Sequence, residues 1–402
     1  MCPNPSSSSE GNKPSSSPLA TTLSDSKQSF TEKYDAARLY IDSLAKPVGS
    51  LGTIEDWGAR MAVLQQTATP NADAAACLIF AADHGVAKDT SEGGMNCSAY
   101  PQMVSRKVLE ALDRGIAGAS VLSKCNNVTL RVIDVGLVDG PVDYEWSGNV
   151  VRSSTNRIKG GTANFCKGNA LTETEVKMCI DLGREETSKM INEMGGGATV
   201  IMFGEVGIGN TTTASSLIAA LTGVNDDVST VCGSGASITR DGINDEIVAR
   251  KIDIIKEALE FHRNSSLSNN PLQALSAVGG AEISSMVGGM LEASKRDVAI
   301  LVDGFIVTVA AMIACMIDPM VCRVLLFSTK STEKGQMIAW LVIMKMATAN
   351  SIPVPSKPAL DMGLRMGEAS GCITSVPLLR SACAIVSSLA TLNDVMCLEM
   401  GK

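Results

Sequence analysis

Short apolar runs without polar alternation recur along the chain, at 77–82, 128–133, 199–203, 298–302 and 323–327. Four of them lead into an acidic residue with glycine beside it: Asp83-His84-Gly85, Asp134-Val135-Gly136, Gly204-Glu205-Val206-Gly207 and Asp303-Gly304. The fifth runs into Ser328. Strands that are apolar at every position suit a parallel sheet covered on both faces. Helical patterns separate the runs, as at 173–193 and 243–261. Strand alternating with helix predicts an α/β fold built on a doubly wound, mostly parallel sheet. Such sheets bind ligands beyond the carboxyl ends of their strands, where these acid-and-glycine tips fall.

The ends of the chain read differently. Residues 31–66 have a helical pattern broken at Lys46-Pro47-Val48-Gly49-Ser50-Leu51-Gly52, and the stretch after 374 is helical as well. These two segments, bounded at 31–70 and 375–402, are predicted to pack into a small helical domain beside a large one at 71–374. Residues 1–30 are rich in Ser and Pro and lack an apolar core, so they read as a disordered tail rather than a signal peptide. The longest apolar run, 300–317, carries Asp303 and Gly304 near its start. It reads as a strand, a turn and a packed helix rather than a membrane span.

Composition narrows the function. Hydrophobic residues make up 45% of the chain but aromatics only 3%, so small aliphatic side chains and 20 methionines must fill the core. A net charge of -8 argues against nucleic acid or an anionic membrane as partner, though not against a small anion. The 12 cysteines are scattered and form no Cys-x-x-Cys, which fits thiols in a reducing, cytoplasmic compartment. With only two histidines, His84 and His262, no histidine-based metal site is expected, and no cofactor is called for. His84 itself reads either as catalytic or as a structural hydrogen-bonding group at a strand tip.

Three glycine-containing segments carry candidate chemistry. Gly204-Glu205-Val206-Gly207-Ile208-Gly209-Asn210-Thr211-Thr212-Thr213 follows a strand and opens a helix. Free amides and the helix dipole there favour an anion, and the Asn-Thr-Thr-Thr run is predicted to supply the caps. It is not a P-loop, since no Gly-Lys-Ser/Thr follows. The segment reads equally as a capped helix without a ligand. Cys232-Gly233-Ser234-Gly235-Ala236-Ser237 is a second turn, with Lys251 on a following helix. Together they suit a phosphate or ribose site, or else a plain turn and a solvated lysine. The third is Gly363-Leu364-Arg365-Met366-Gly367-Glu368-Ala369-Ser370-Gly371, where a lone glutamate among small residues suits a general base or a helix cap.

The order of these motifs is distinctive. Lys46-Pro-Val-Gly-Ser-Leu-Gly, Ala82-Asp-His-Gly-Val, Ser98-Ala-Tyr-Pro-Gln, Gly161-Thr-Ala-Asn-Phe, Gly204-Glu-Val-Gly-Ile-Gly-Asn-Thr-Thr, Val278-Gly-Gly-Ala-Glu-Ile, Asp303-Gly-Phe-Ile and Arg365-Met-Gly-Glu follow one another along the chain. In this the chain resembles the nicotinate-nucleotide:dimethylbenzimidazole phosphoribosyltransferase family, from about residue 31 to near the C-terminus. The resemblance implies a Rossmann-like large domain, a small domain from both chain ends, and a homodimer. It implies transfer of phosphoribose from nicotinate mononucleotide to a benzimidazole base, giving α-ribazole phosphate for cobalamin. By the same resemblance Glu368 is the catalytic base and Glu205 a second active-site acid. Ser98, Tyr100 and Gln102 match the segment lining the base pocket. Gly207, Gly209, Asn210, Thr211, Thr212, Gly233, Gly235 and Lys251 match the phosphoribosyl side, with Gly367 beside the base.

The chain departs from that family at 329–336. The usual His-x-Ser-Ala-Glu-x-Gly-His reads Thr329-Lys330-Ser331-Thr332-Glu333-Lys334-Gly335-Gln336, without either histidine. This motivates two alternatives: a binding protein for a base or riboside without catalysis, and a transferase with a different acceptor base.

Overall fold

Six strands, all paired in parallel, form the central sheet of the computed structural model, which describes residues 18–138, 150–152, 157–195, 200–224, 227–235, 238–239 and 242–398. They are β1 (Ala75–Ala82), β2 (Thr129–Gly136), β3 (Val150–Arg152), β4 (Val200–Val206), β7 (Ala299–Val302) and β8 (Leu325–Phe327), in the order β3-β2-β1-β4-β7-β8. A separate antiparallel ribbon pairs β5 (Ile238–Thr239) with β6 (Gly242–Ile243). Every residue of β1 and β4 is buried, as expected of runs without alternation. All five predicted runs are strands. The three-residue edge strand β3 was not foreseen, because it is too short to show a pattern.

The chain winds outward from β1 through β2 to β3, then returns to the other side through β4 to β8. The reversal lies between β1 and β4, which makes their carboxyl ends the natural place for a ligand. In the first half the helices are α1 (Pro18–Ser24), α2 (Phe30–Asp42), α3 (Thr53–Leu64), α4 (Met103–Asp113), α5 (Gly118–Cys125), α6 (Glu173–Glu193) and α7 (Asn210–Thr222). After the ribbon come α8 (Asp245–Phe261), α9 (Pro271–Val278), α10 (Ala281–Lys295), α11 (Phe305–Ile317), α12 (Gly335–Ala349), α13 (Ser370–Ser388) and α14 (Leu392–Met396). The apolar stretch 300–317 divides into β7, a turn and the buried helix α11, as its sequence suggested.

A second core gathers Leu19, Leu23, Ala37, Ile41, Leu44, Ala59, Ala62, Val63 and Val386 from α1, α2, α3 and the end of α13. Backbone bonds join the chain ends there: the Ala45 amide donates to Ala390 O (2.8 Å) and the Leu392 amide to Ser43 O (3.1 Å). Residues 18–24 correct the prediction of disorder over 1–30, since Leu19 and Leu23 lie one turn apart and α1 buries both. Residues 1–17 and 399–402 lie outside the described residues. Among the described residues α13 alone is long and apolar enough to cross a membrane, but over half of it is buried. Its Arg380 donates to the carbonyls of Ala72, Asp73, Asn126 and Asn127, which marks a core helix. All eleven described cysteines are free thiols.

Helices α6 and α10 cross without side chains between them. A Cβ on Gly183 would sit 1.8 Å from Ser285 O, and one on Gly288 would sit 2.0 Å from Ile180 O. The contact holds α10 across β1, β2 and β4. Gly288→Ala must separate the two backbones, and a loss of roughly 2 kcal/mol or more is expected from overpacking a closed crossing. Urea unfolding of the variant beside the parent checks this.

Candidate active site

Strand β4 carries Gly204 and Glu205 to the carboxyl edge of the sheet, and the turn 367–369 descends onto it. A Cβ on Gly204 would lie 2.8 Å from the Ala369 nitrogen and 2.9 Å from the Glu368 carbonyl carbon. Only glycine admits so close an approach. The turn is strained as well as tight: Gly367, Glu368 and Ala369 all have positive φ, at 74°, 54° and 56°. For the two non-glycine residues this costs about 1–3 kcal/mol each, a cost that surrounding contacts must offset. The turn sets Glu368 beside Glu205 and opens α13.

The two carboxyls have different partners. Glu368 is half-buried, and its Oε2 accepts from the Ala119 amide (3.3 Å) in the first turn of α5. The sequence allowed a cap at its own helix; instead it caps a helix far away in the chain. Burial pushes its pKa up, and the Ala119 amide opposes this only in part. Glu205 is buried and accepts from Asn210 Nδ2 and from the Glu368 amide. Its pKa is raised well above the usual range, first by burial and then by Glu282, Asp303 and Glu368. Asp303, at the end of β7, accepts from the Cys372 amide (3.1 Å) through Oδ1. Burial still pushes it up to about 6.

Beneath the rim, His84 is fully buried with Nδ1 2.9 Å from Thr213 Oγ1 and Nε2 3.0 Å from Glu282 Oε1. The second approach is at ion-pair distance for a protonated imidazole but is not aligned as a hydrogen bond. Burial lowers the His84 pKa, but Glu282 and Asp83 outweigh it and the net shift is upward. The structural reading of His84 is therefore the one the geometry fits. The predicted caps of α7 require correction. Its N-cap is Gly209, at φ 102° and with no side-chain cap, because the chain turns too sharply at Gly207–Gly209 for Asn210 or the threonines to serve. Asn210 turns to Glu205 and Thr213 to His84.

The second glycine turn faces the first. A Cβ on Gly235 would lie 2.6 Å from Thr211 Oγ1. Lys251 is 2% exposed, not a solvated lysine, and its Nζ donates to Ser234 O (2.9 Å), Thr211 Oγ1 (3.2 Å) and Gly233 O (3.5 Å). Burial lowers its pKa. Glu333 occupies the amides of this turn, accepting from Ser234 N (2.6 Å), Ser234 Oγ (2.8 Å) and Gly235 N (2.8 Å). An anion bound there must therefore share donors with a carboxylate already in place. Residues 236–237 lie outside the described residues.

A cavity of about 610 Å³ opens between these features. Of the residues singled out from sequence, Glu205, Glu368, Tyr100, Gly207, Asn210, Thr211, Gly235 and Gly367 line it. Ser98, Gln102, Gly209, Thr212, Gly233 and Lys251 are not among its lining residues. Ser98 Oγ accepts from the Tyr100 amide (3.1 Å) and Gln102 Nε2 donates to His84 O (2.6 Å), so both shape the loop that presents Tyr100. The lining also includes Asp303, Glu333, Arg365, Ser105, Val104 and Val108, which the sequence did not single out as site residues. Val104 and Val108 are one turn apart on α4, a spacing that could have signalled an apolar wall. Nothing local marked Glu333, whose role comes from a turn about a hundred residues earlier.

Comparison with known proteins places the chain in a family and matches its fold. A family model described as "Phosphoribosyltransferase" matches residues 27–396. Nicotinate-nucleotide--dimethylbenzimidazole phosphoribosyltransferase of Pseudomonas putida W619 is 34% identical over 364 residues, covering 90% of this chain and 94% of the relative. The protein of that name from Bradyrhizobium sp. BTAi1 is 37% identical over 353 residues, covering 87% and 90%. The crystal structure of CobT from Thermus thermophilus superposes with a TM-score of 0.75 at 30% identity, covering 91% of this chain and 99% of that one.

The raised pKa of Asp303 fixes a pH dependence of stability. The folded carboxyl titrates near 6 and the unfolded one near 3.8, so the native state holds the proton more tightly. Stability from this group therefore falls as pH rises through that window, by at most about 3 kcal/mol. Asp303→Asn is expected to remove that fall. Urea unfolding near about pH 4 and about pH 8 should show the difference between variant and parent shifting in favour of Asn at the higher pH.

Proposed function

This chain belongs to the phosphoribosyltransferase family matched over residues 27–396, and we infer from that premise that it transfers phosphoribose from nicotinate mononucleotide to dimethylbenzimidazole or a related base. The observation that carries the site assignment is the close approach of turn 367–369 to Gly204, which puts Glu368 and Glu205 on one wall of the cavity.

Bond making and breaking need few groups. In the nucleotide, the bond between the anomeric carbon and the pyridinium nitrogen breaks, and its electrons neutralise that nitrogen, so nicotinate leaves without an acid. One nitrogen of the benzimidazole forms the new bond to that carbon. The positive charge then on the base is removed when its other ring nitrogen loses a proton, and Glu368 takes it. Burial raises the Glu368 pKa, which makes its carboxylate a better proton acceptor than an exposed one. Glu205 faces the positive charge of the pyridinium and of the ribose as the bond stretches. The apolar wall of Val104, Val108 and Tyr100 suits a flat base, while Thr211 and Gly235, backed by Lys251, suit the phosphate. Holding both substrates together accounts for much of the remaining rate.

The protein is read as a cytoplasmic homodimer acting on these small molecules. Its buried free thiols fit a reducing compartment, and its acidic net charge fits the lack of a nucleic-acid role.

Glu368→Gln is expected to lower kcat by about 100- to 10,000-fold with little change in KM, as loss of a general base does. Nicotinate release, followed by chromatography, checks it; near-normal turnover would remove Glu368 from the role. In the parent, kcat should rise with pH through a value above the ordinary glutamate range, and the variant should lose that limb. A second expectation concerns Glu205, whose pKa burial and the neighbouring Glu282, Asp303 and Glu368 raise well above the usual range. Binding the pyridinium nucleotide should favour its ionised form and release a proton. Calorimetry in buffers of different ionisation enthalpy detects this, and Glu205→Gln should abolish the buffer dependence.

A further inference from the structure

Charge along the cavity wall is lopsided. Glu205, Asp303, Glu333 and Glu368 line it, and the one basic side chain among the described lining residues is Arg365. Arg365 is exposed and, among the described residues, makes no hydrogen bond or ion pair. This is unusual for a guanidinium on a cavity lined by four carboxyls. Lys330 and Asp361, just outside the strap 363–367 that carries Arg365, pair at 2.8 Å. The strap is fixed at both ends. It is held at one end where the Lys330 amide donates to Leu360 O (2.8 Å), and at the other where the Ser370 amide donates to Gly367 O (2.9 Å). Gly363 and Gly367, with φ of 66° and 74°, bound the three residues that carry Arg365. Met366 packs towards Gly118 at the start of α5, so the strap passes over the wall that bears Glu368.

We propose that Arg365 is a specificity-determining residue, its guanidinium receiving the carboxylate of the leaving pyridine base and so selecting nicotinate over the uncharged nicotinamide. The proposal rests on the transfer reaction inferred above. An anionic base entering a cavity walled by carboxyls is repelled unless a cation meets it. The substrate has two anionic groups. Its phosphate has a cation of its own in Lys251, behind Thr211 and Gly235. The ring carboxylate lies beyond the bond that breaks at Glu205 and Glu368, and Arg365 precedes Glu368 by three residues on the strap over that wall. A planar guanidinium takes a carboxylate through two parallel hydrogen bonds, which a carboxamide cannot accept in the same way.

The test compares the parent with Arg365→Met and Arg365→Lys, on an exposed side chain whose replacement leaves the fold intact. Calorimetry gives the affinities of free nicotinate and nicotinamide, and kinetics gives kcat/KM for nicotinate mononucleotide and nicotinamide mononucleotide. The parent should prefer nicotinate about tenfold or more, as expected for a charge-assisted pair. Arg365→Met should erase that preference and lower kcat/KM for the acid nucleotide more than for the amide nucleotide. Arg365→Lys should keep part of it. Equal losses on both nucleotides, which share the phosphate, would assign Arg365 to the phosphate and overturn the proposal; so would an unchanged preference in Arg365→Met. A parent that prefers nicotinate but forms no product would instead refute the transfer reaction and leave the carboxylate site standing.

Discussion

The site depends on one steric contact, the seating of a left-handed turn against a glycine in the middle of a buried strand. Because Gly204 has no side chain, the backbone of Glu368 and Ala369 lies directly on β4. From that approach follow the adjacency of the two glutamates, the hydrogen bond from the Glu368 amide to Glu205, and the start of α13. The turn adopts a conformation costly for non-glycine residues, and it persists because its neighbours determine it: α13 docks on β4 and α3, and Glu368 is tied to α5. Strain held in this way fixes geometry, which a proton acceptor requires more than strength of binding.

Electrostatics is the second consequence. The rim gathers carboxyls from the ends of separate strands and loops, with Arg365 the one basic side chain among the described lining residues. Burial and mutual repulsion raise Glu205, while burial raises Glu368 and Asp303. Beneath the rim His84 faces the buried Glu282, while the glycine turn absorbs Glu333. Carboxyls thus outnumber cations among the described lining residues, and a cationic nucleotide complements them.

Much of this was legible from sequence because the signals were local. An unbroken apolar run reports a strand covered on both faces, and the acid after it reports the rim, so the sheet and Glu205 could be read directly. Glu368 stood out as an acid among glycines, although only the resemblance gave it a role. What was hidden was relational. Lys251 has an ordinary helical surrounding in sequence, and its burial follows from a turn on another segment. Glu333 has the same character. The threonines of α7 looked like caps because propensity favours them there, whereas the tight Gly207–Gly209 bend gave the cap to glycine and freed Thr213 for His84. Leu19 and Leu23 read as part of a polar tail because the surface that buries them comes from residues 37–63 and 386.

The same architecture sets an order of assembly. The strap and turn at 363–370 are the last wall of the cavity to leave the ribosome, after every strand of the sheet. The early helix α3 must wait for α13, some three hundred residues later, before its apolar face is covered. Contacts so distant along the chain close slowly, and the unfinished protein meanwhile presents sticky surface. Nascent chains of this enzyme would therefore depend on chaperones until synthesis has passed α13, and would be inert until then.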